Sequence, residues 1–357
     1  MALYNKENRK KLKEALKLDP TKRITCSFYK YVKIPDPADF RDQLYLEWTE
    51  LEVYGRVYIA GEGINAQFSV PKVRWDDFNQ YLAGSKALSN VPLKIAVEDD
   101  GKSFYKLSIK TREKIVADGL ADDSFDVTKT GKHLNAKEFN DATEEKSTHV
   151  VDVRNYYESE VGHFENAIIP DADSFRDVVR ILPELLAGKE DDKILLYCTG
   201  GIRCEKVSAY LKHVGYSDVN QLQGGIIDYA HQVKKQGLES KFIGKKFVFD
   251  ERLGERITED IISTCHQCGA PCDTHTNCAN DACHLLFIQC KECAAKYDAC
   301  CTNECKTILA MPPEDQIHLR KQVNKENSRN IHRSRLRPKL KEIIEAKNRE
   351  QSSQNGR

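Results

Sequence analysis

The sequence predicts a multidomain chain that joins α+β and α/β units. An α+β domain is expected over 21–118, a doubly wound α/β domain on a parallel sheet over 119–240, and a cysteine-rich, zinc-type module over 241–311. Three observations predict this. Before residue 118 the strand and helix patterns run βαββαβ. After it, short continuous apolar runs replace alternating ones. Ten of the 13 cysteines then crowd between Cys265 and Cys305. At 357 residues the chain has room for two or three domains of roughly 100–200 residues each.

Each element follows from local pattern. Residues 1–20 read as a charged helical extension ended by Asp19-Pro20. Residues 24–32 (ITCSFYKYV) alternate and are rich in aromatics, a strand signature. Within 37–51, Phe40, Leu44, Trp48 and Leu51 recur at helical spacing. Residues 56–60 and 65–70 read as strands joined by Gly61-Glu62-Gly63-Ile64. A helix over 75–82 and strands over 93–97 and 105–109 complete a ferredoxin-like (acylphosphatase-like) plan with one strand added. Its helices cover one sheet face and leave the other available. A cluster of Asp, Gly and Ser at 118–126 marks the boundary. Beyond it, 149–153 and 194–197 are continuous apolar runs, as in strands buried on both faces of a parallel sheet. Helices fit 174–187 and 204–214; the second carries Val207, Leu211 and Val214 in register and is capped by Gly215. With the strand over 219–222 this makes a right-handed βαβ crossover.

Several classes are excluded. No apolar run approaches the ~20 residues of a membrane span, and the Lys-rich amino terminus lacks the apolar core of a secretory signal. A cytoplasmic protein is expected. Fifty-five basic residues cancel 55 acidic ones, which argues against a wholly basic nucleic-acid coat. Charge is nevertheless local: from Arg320 to Arg349 there are 11 Lys or Arg against 3 Asp or Glu. Residues 312–357 therefore read as a flexible basic tail.

The chemistry concentrates after the strand over 194–197, in Cys198-Thr199-Gly200-Gly201-Ile202-Arg203-Cys204. A cysteine at the carboxyl end of a parallel strand sits where open α/β sheets place ligands. Gly200 and Gly201 allow the backbone N–H groups of Thr199, Gly200, Gly201 and Ile202 to converge as an anion-attracting nest. The start of the next helix and the Arg203 guanidinium add positive potential. All three favour a Cys198 thiolate. Cys204 is read as a resolving thiol or, equally, a packed helix cysteine. Asp152 and Arg154 read as structural, Glu205 and Lys206 as solvated capping charges, and His163 as a fold-holding hydrogen-bonder before a proton carrier.

Val151-Asp152-Val153-Arg154, Glu158, Gly162-His163-Phe164-Glu165-Asn166-Ala167 and Leu222-Gln223-Gly224-Gly225-Ile226 resemble the signatures flanking a rhodanese loop. Cys198 and Arg203 enclose four residues, as in rhodaneses. The related phosphatases enclose one more to cradle a phosphate, so phosphatase activity is set aside. The resemblance extends along 20–305 through SFYKY, AGEGINAQ, DDGKSF, YCTGGIRCEK, GGIIDYA, FVFDERLGERI and CHQCGAPC, and the chain is similar to the bacterial tRNA uridine hydroxylase (TrhO) family. That resemblance implies oxygen-dependent conversion of a wobble uridine to 5-hydroxyuridine, with Cys198 as the active-site cysteine, molecular oxygen as co-substrate and an unidentified electron donor. No flavin or NAD fingerprint and no iron triad is evident. Addition of the Cys198 thiolate to C6 of the base, or delivery of oxygen by an oxidised or persulfidated Cys198, would explain how C5 is activated. A rhodanese-type sulfurtransferase carrying a persulfide, and a zinc-stabilised RNA-binding scaffold, are the competing readings.

Cys265-x-x-Cys268 and Cys290-x-x-Cys293, 21 residues apart, have the spacing of a tetrathiolate zinc site. Cys278, Cys283, Cys301 and Cys305 offer a second, cross-braced site; Cys272, Cys300, His266, His275 and His284 are spare or substitute ligands. Disulfides are the alternative. For the tRNA anticodon loop, whose bases need little extrusion, Lys30, Lys33, Arg56, Lys110, Arg112 and Lys114 are candidate phosphate contacts. Phe28 or Tyr29 is a candidate for stacking bases, the AGEGINAQ turn is expected to close over the reactive loop, and 329–349 to attract phosphate non-specifically.

Overall fold

The alternation of Cys26 and Phe28 with Ser27 and Tyr29 makes β1 (Arg23–Tyr31) two-faced, after a short helix α1 (Arg9–Leu18). The computed structural model describes residues 5, 7–120, 125–326, 340 and 344. Helix α2 (Pro37–Glu50) starts at Asp36, whose carboxylate accepts from the N–H groups of Ala38 and Asp39. β2 (Tyr54–Ala60) and β3 (Gly63–Pro71) form a hairpin, followed by α3 (Trp75–Gly84), β4 (Lys94–Ile95) and β5 (Leu107–Thr111). The sheet order is β4-β1-β3-β2-β5, antiparallel except that β5 runs parallel to β2. Trp48 of α2 lies fully buried against this sheet, its ring centre 4.9 Å from Phe68 and 5.5 Å from Phe78. This aromatic core fixes one face of the sheet to the two helices.

The middle domain has the parallel order β6-β10-β9-β7. Its elements are β6 (Lys132–Leu134), α4 (Ala136–Thr143), β7 (Thr148–Asp152), α5 (Tyr156–Ser159), β8 (Gly162–Phe164), α6 (Phe175–Leu185), β9 (Lys193–Tyr197), α7 (Ile202–His213), β10 (Asp218–Leu222) and α8 (Gly225–Gln236). β6 is absent from the sequence reading because a three-residue strand with two exposed side chains carries no period. Ile194, Leu195 and Leu196 of β9 are all fully buried, as a central parallel strand requires.

After α8, β11 (Phe242–Lys246) pairs with β8 and with β12 (Glu255–Arg256), so this stretch is tied to the middle domain before the cysteines begin. The cysteine module adds a hairpin, β13 (His275–Asn277) with β14 (Leu286–Ile288), and helices α9 (Lys291–Tyr297) and α10 (Asn303–Leu309). The start of the expected tail is helix α11 (Pro313–Glu326). Further on, Leu340 is buried against Cys278, Phe287 and Cys301, and Ile344 packs with the group around Cys265 and Cys290. The basic residues expected to meet phosphate over 329–349 lie outside the described residues. Among the described residues no helix is long and apolar enough to cross a membrane.

Candidate active site

The strand that carries the reactive loop is bolted from below. Arg154, fully buried, holds Asp152 through Nε and Nη2 (2.9 and 2.6 Å) and donates to the Gly162 carbonyl at 2.7 Å. Ser159 and Tyr197 hydroxyls donate to the same Asp152 carboxylate at 2.8 and 2.7 Å. Both Asp152 and Arg154 are therefore structural, as expected. His163 lies on β8 with Nδ1 2.9 Å from the Ser159 carbonyl oxygen, a fold-holding contact.

Above that platform the loop wraps its own sulfur. Gly201 has φ +96°, a conformation that side chains resist, and a Cβ there would stand 2.9 Å from the Tyr29 hydroxyl. The turn brings the Gly201 N–H to the Cys198 Sγ at 3.1 Å. The start of α8 closes the loop from the other side: Ile226 and Ile227 N–H groups donate to the Cys198 and Thr199 carbonyls at 3.0 and 3.2 Å. Gly225 allows that approach, since a Cβ there would lie 2.5 Å from the Cys198 oxygen.

Burial pushes the Cys198 thiol up, but the Cys204 thiol, the Arg203 charge and the N–H groups of Cys204 and Arg203 outweigh it, bringing the pKa from 9.0 to about 6. Cys204 is itself fully buried, and burial together with the adjacent Cys198 sulfur pushes its thiol well up. It is a protonated donor to Cys198. Alkylation of Cys198 by iodoacetamide, followed peptide by peptide, is expected to rise with pH around a midpoint near 6; a midpoint in the ordinary cysteine range would contradict an activated thiolate.

Arg203 does not point its guanidinium freely at the loop. It makes a two-pronged pair with Glu158, at 2.6 and 2.7 Å, and Nη2 also donates to the Thr199 hydroxyl at 3.2 Å. Glu158 is fully buried. In the sequence Glu158 stands out only as part of a flanking signature; its pairing with Arg203 is what fixes the guanidinium beside the sulfur.

Glu205 and Lys206 are not solvated caps. Glu205 accepts from Tyr29 Oη (2.9 Å) and Gln221 Nε2 (2.9 Å) and lies 3.0 Å from His133 Nε2. Lys206 is 3% exposed and pairs with Glu62 at 2.7 Å and Asp118 at 3.2 Å. Because α7 faces the open side of the first sheet, its charges join two domains. Glu62 belongs to the AGEGINAQ turn, which thus does dock on the helix following the reactive loop.

The open sheet face and the loop enclose a cavity of about 370 Å³. Cys198 lies just beneath its floor and is 0% exposed; Thr199, Gly200, Ile202 and Arg203 line it from the loop. Tyr29, Tyr58, Asn65, Gln67 and Lys94 line it from the sheet, Lys246 from the end of β11, and Phe249 and Arg252 from the stretch after it. Phe28 is not available for stacking: it faces the aromatic core, 5.7 Å from Phe68. Tyr29, on the opposite face of β1, lines the cavity, but its ring already carries the Lys94 ammonium at 4.6 Å.

The basic candidates separate. Lys30 lies in β1 on the helix-covered side and donates to the Ser89 carbonyl at 2.8 Å, away from the cavity. Lys114 is held by Asp118 and the Leu120 carbonyl, so it too is structural. Lys33 is exposed and lines neither cavity. Arg56, Lys110 and Arg112 are exposed and line a second cavity of about 640 Å³, which shares Arg56, Phe104 and Asp250 with the first.

The cysteine module brings together both expected ligand sets. The sulfurs of Cys265, Cys268, Cys290 and Cys293 lie within 4.8 Å of one another, as do those of Cys278, Cys283, Cys301 and Cys305. Cys268 lies 3.7 Å from Cys290, and Cys301 3.7 Å from both Cys283 and Cys305. A tetrahedron with metal–sulfur bonds of about 2.3 Å has edges of about 3.8 Å, so both groups fit one metal ion each. Backbone N–H groups of Cys290 and Cys301 point at the sulfurs of Cys265 and Cys278, both at 3.4 Å, as suits thiolates. All 13 cysteines are free of disulfides. The alternation of pairs along the chain makes the two groups cross-braced. His266 is engaged with Glu160 at 2.7 Å and His275 is buried beside Phe247, so neither substitutes as a ligand.

Three family models match consecutive stretches of the chain: a UPF0176 acylphosphatase like domain over 23–115, a rhodanese-like domain over 135–232 and a rhodanase C-terminal region over 243–306. Over its length the chain is similar to curated proteins. It is 56% identical over 341 residues to the tRNA uridine(34) hydroxylase of Leptospira interrogans serogroup Icterohaemorrhagiae serovar Lai (strain 56601), covering 96% of this chain and 93% of the relative. It is 52% identical over 315 residues to the protein of that name from Yersinia pestis (strain Pestoides F), covering 88% and 89%.

Proposed function

The chain belongs to the tRNA uridine(34) hydroxylase family, and from that membership we propose that it converts the wobble uridine of tRNA to 5-hydroxyuridine at Cys198. The observation that carries the reading is the placement of a low-pKa sulfur at the floor of a cavity walled by the first sheet, the loop and the stretch after β11. A cavity of about 370 Å³ is of a size to admit one base. Asn65 and Gln67 present amides suited to the edge of a flipped or unpaired base, and Tyr58 presents a ring face. Arg56, Lys110 and Arg112 line the adjoining cavity, where flanking phosphates are proposed to run.

In chemical terms, the Cys198 thiolate adds to C6 of uracil, so C5 becomes electron-rich and reacts with oxygen. Replacing C5–H by C5–OH with molecular oxygen leaves one oxygen atom to become water, which takes two protons and two electrons from an external donor. Gly201 N–H and the Cys204 thiol hold the sulfur's charge before it adds; Glu158 keeps Arg203 in place beside it. Zinc is the metal we assign to both cysteine groups, because four thiolates in tetrahedral array suit it. Its role is structural, since each set already supplies four ligands. As an enzyme acting on tRNA, the protein is proposed to work in the cytoplasm.

A four-residue cradle also suits a persulfide, which keeps a sulfurtransferase as the second reading. Nucleoside mass spectrometry of tRNA from cells lacking the gene separates the two. Loss of 5-hydroxyuridine, restored by the wild-type gene, is expected; loss of a thionucleoside instead would assign sulfur transfer, and an unchanged nucleoside profile would contradict both.

A further inference from the structure

Opposite the reactive loop, the cavity wall carries a buried cation that no step above employs. Lys94 stands on β4, the outer strand of the first sheet, paired with Ser27 and on the same face as Tyr29. It is 3% exposed, and its Nζ lies 4.6 Å from the centre of the Tyr29 ring. Its Cδ approaches the loop closely enough that a Cβ on Gly200 would meet it at 3.8 Å. Among the described residues it makes no ion pair and no hydrogen bond. Burial pulls its pKa below the usual lysine range, against which stand the charged groups facing it: Asp228 of α8 first, then Cys198 of the loop and Glu205 of α7. An ammonium withdrawn from water without a bonded carboxylate is costly. Such a charge is retained where it acts on something that enters the cavity.

We propose that Lys94 is a catalytic residue of the hydroxylation: its ammonium donates to the C4 carbonyl oxygen of the bound uracil and holds the negative charge that arrives there when the Cys198 sulfur bonds to C6. The assignment rests on the hydroxylase reading. In this step the S–C6 bond forms and the C5=C6 π bond opens. Its electron pair moves through C5–C4 onto the C4 oxygen as an enolate, and Lys94 keeps its proton. Only the carbonyl conjugated with C5=C6 takes that pair. The sulfur must meet the face of the ring while the carbonyl lies in its plane, so nucleophile and cation have to come from different walls, as the loop and β4 do. Tyr29 sets the ammonium in place through its ring. A preorganised donor aimed at a developing oxyanion in a dry site needs no rearrangement as the charge forms.

The test uses full-length protein and unmodified substrate tRNA. Lys94→Met keeps the length and apolar contact of the side chain and removes its charge; Lys94→Arg keeps the charge. Single-turnover formation of 5-hydroxyuridine is expected to fall about 10²–10³-fold in Lys94→Met, the usual effect of losing one such donor. Melting temperature, tRNA affinity and the salt dependence of binding are expected to stay at wild-type values, with Lys94→Arg faster than Lys94→Met. A salt slope lower by about one would make Lys94 a phosphate contact and overturn the proposal. Equal rates in the two variants, or a wild-type rate in Lys94→Met, would overturn it as well. An inactive wild-type protein would sink the hydroxylase reading and this one with it, whereas an active wild type with an unaffected Lys94→Met sinks the Lys94 assignment alone.

Discussion

Cys198→Ser is expected to abolish 5-hydroxyuridine formation, by on the order of 10³-fold or more, while tRNA binding is retained. The substitution is nearly isosteric and leaves the Gly201 N–H, the Arg203–Glu158 pair and the α8 contacts in position. What it removes is ionisability: a serine hydroxyl in the same nest stays protonated at any working pH, so no anion is available to add to the base. Single-turnover assays read by nucleoside mass spectrometry, beside filter binding of the same tRNA, separate chemistry from recognition. Substantial 5-hydroxyuridine from the serine variant would remove Cys198 from the mechanism.

Loss of metal is expected to be the largest effect on stability. The packing groups of the cysteine module consist mainly of cysteines, with Ile288, Tyr297, Phe287 and Leu340 among the few other buried apolar side chains. So small an apolar core cannot hold the module once two clusters of thiolates repel each other. Structural zinc contributes roughly 10–16 kcal/mol of apparent binding free energy to small metal-dependent folds. Two zinc ions per chain are expected by elemental analysis, and Cys265→Ser or Cys278→Ser should each lose one, with a marked fall in melting temperature. Activity should fall too. The module is joined to the reaction cavity's third wall by Asp273, which pairs with Lys245 and Arg256, and to the middle domain by the His266–Glu160 contact. Gently purified protein containing no zinc, or full stability after chelation, would contradict this.

What the sequence disclosed was set by whether the information is local. The Cys198–Cys204 loop is contiguous, and its glycines and strand-to-helix position announce an anion nest. Cysteine spacing pointed to the first sulfur group for the same reason, since Cys265-x-x-Cys268 and Cys290-x-x-Cys293 would each make one tetrahedral edge. The strand period correctly split β1 into two faces, yet could not say which of Phe28 and Tyr29 would meet the aromatic core. Pairings across the domain boundary were hidden. Nothing near Glu205 or Lys206 signals Tyr29, Gln221, Glu62 or Asp118, and a charged pair opening a helix ordinarily faces water. Glu158 and Arg203 stand 45 positions apart. Lys94, in a two-residue strand with no period of its own, looks like any surface lysine until the fold places it above Gly200. The open sheet face was legible as free; that the reactive loop covers it, making a cavity where each domain alone has a surface, was not.

Whether the Cys198 sulfur bonds to C6 of the wobble base can be read from a substrate tRNA carrying 5-fluorouridine at that position, because fluorine makes C6 more electrophilic and blocks the ordinary completion of the reaction at C5. A protein–tRNA adduct that survives denaturation, mapped by peptide mass spectrometry to Cys198 and missing from Cys198→Ser, is the predicted result. No adduct from active wild-type protein, or an adduct on another residue, would contradict it.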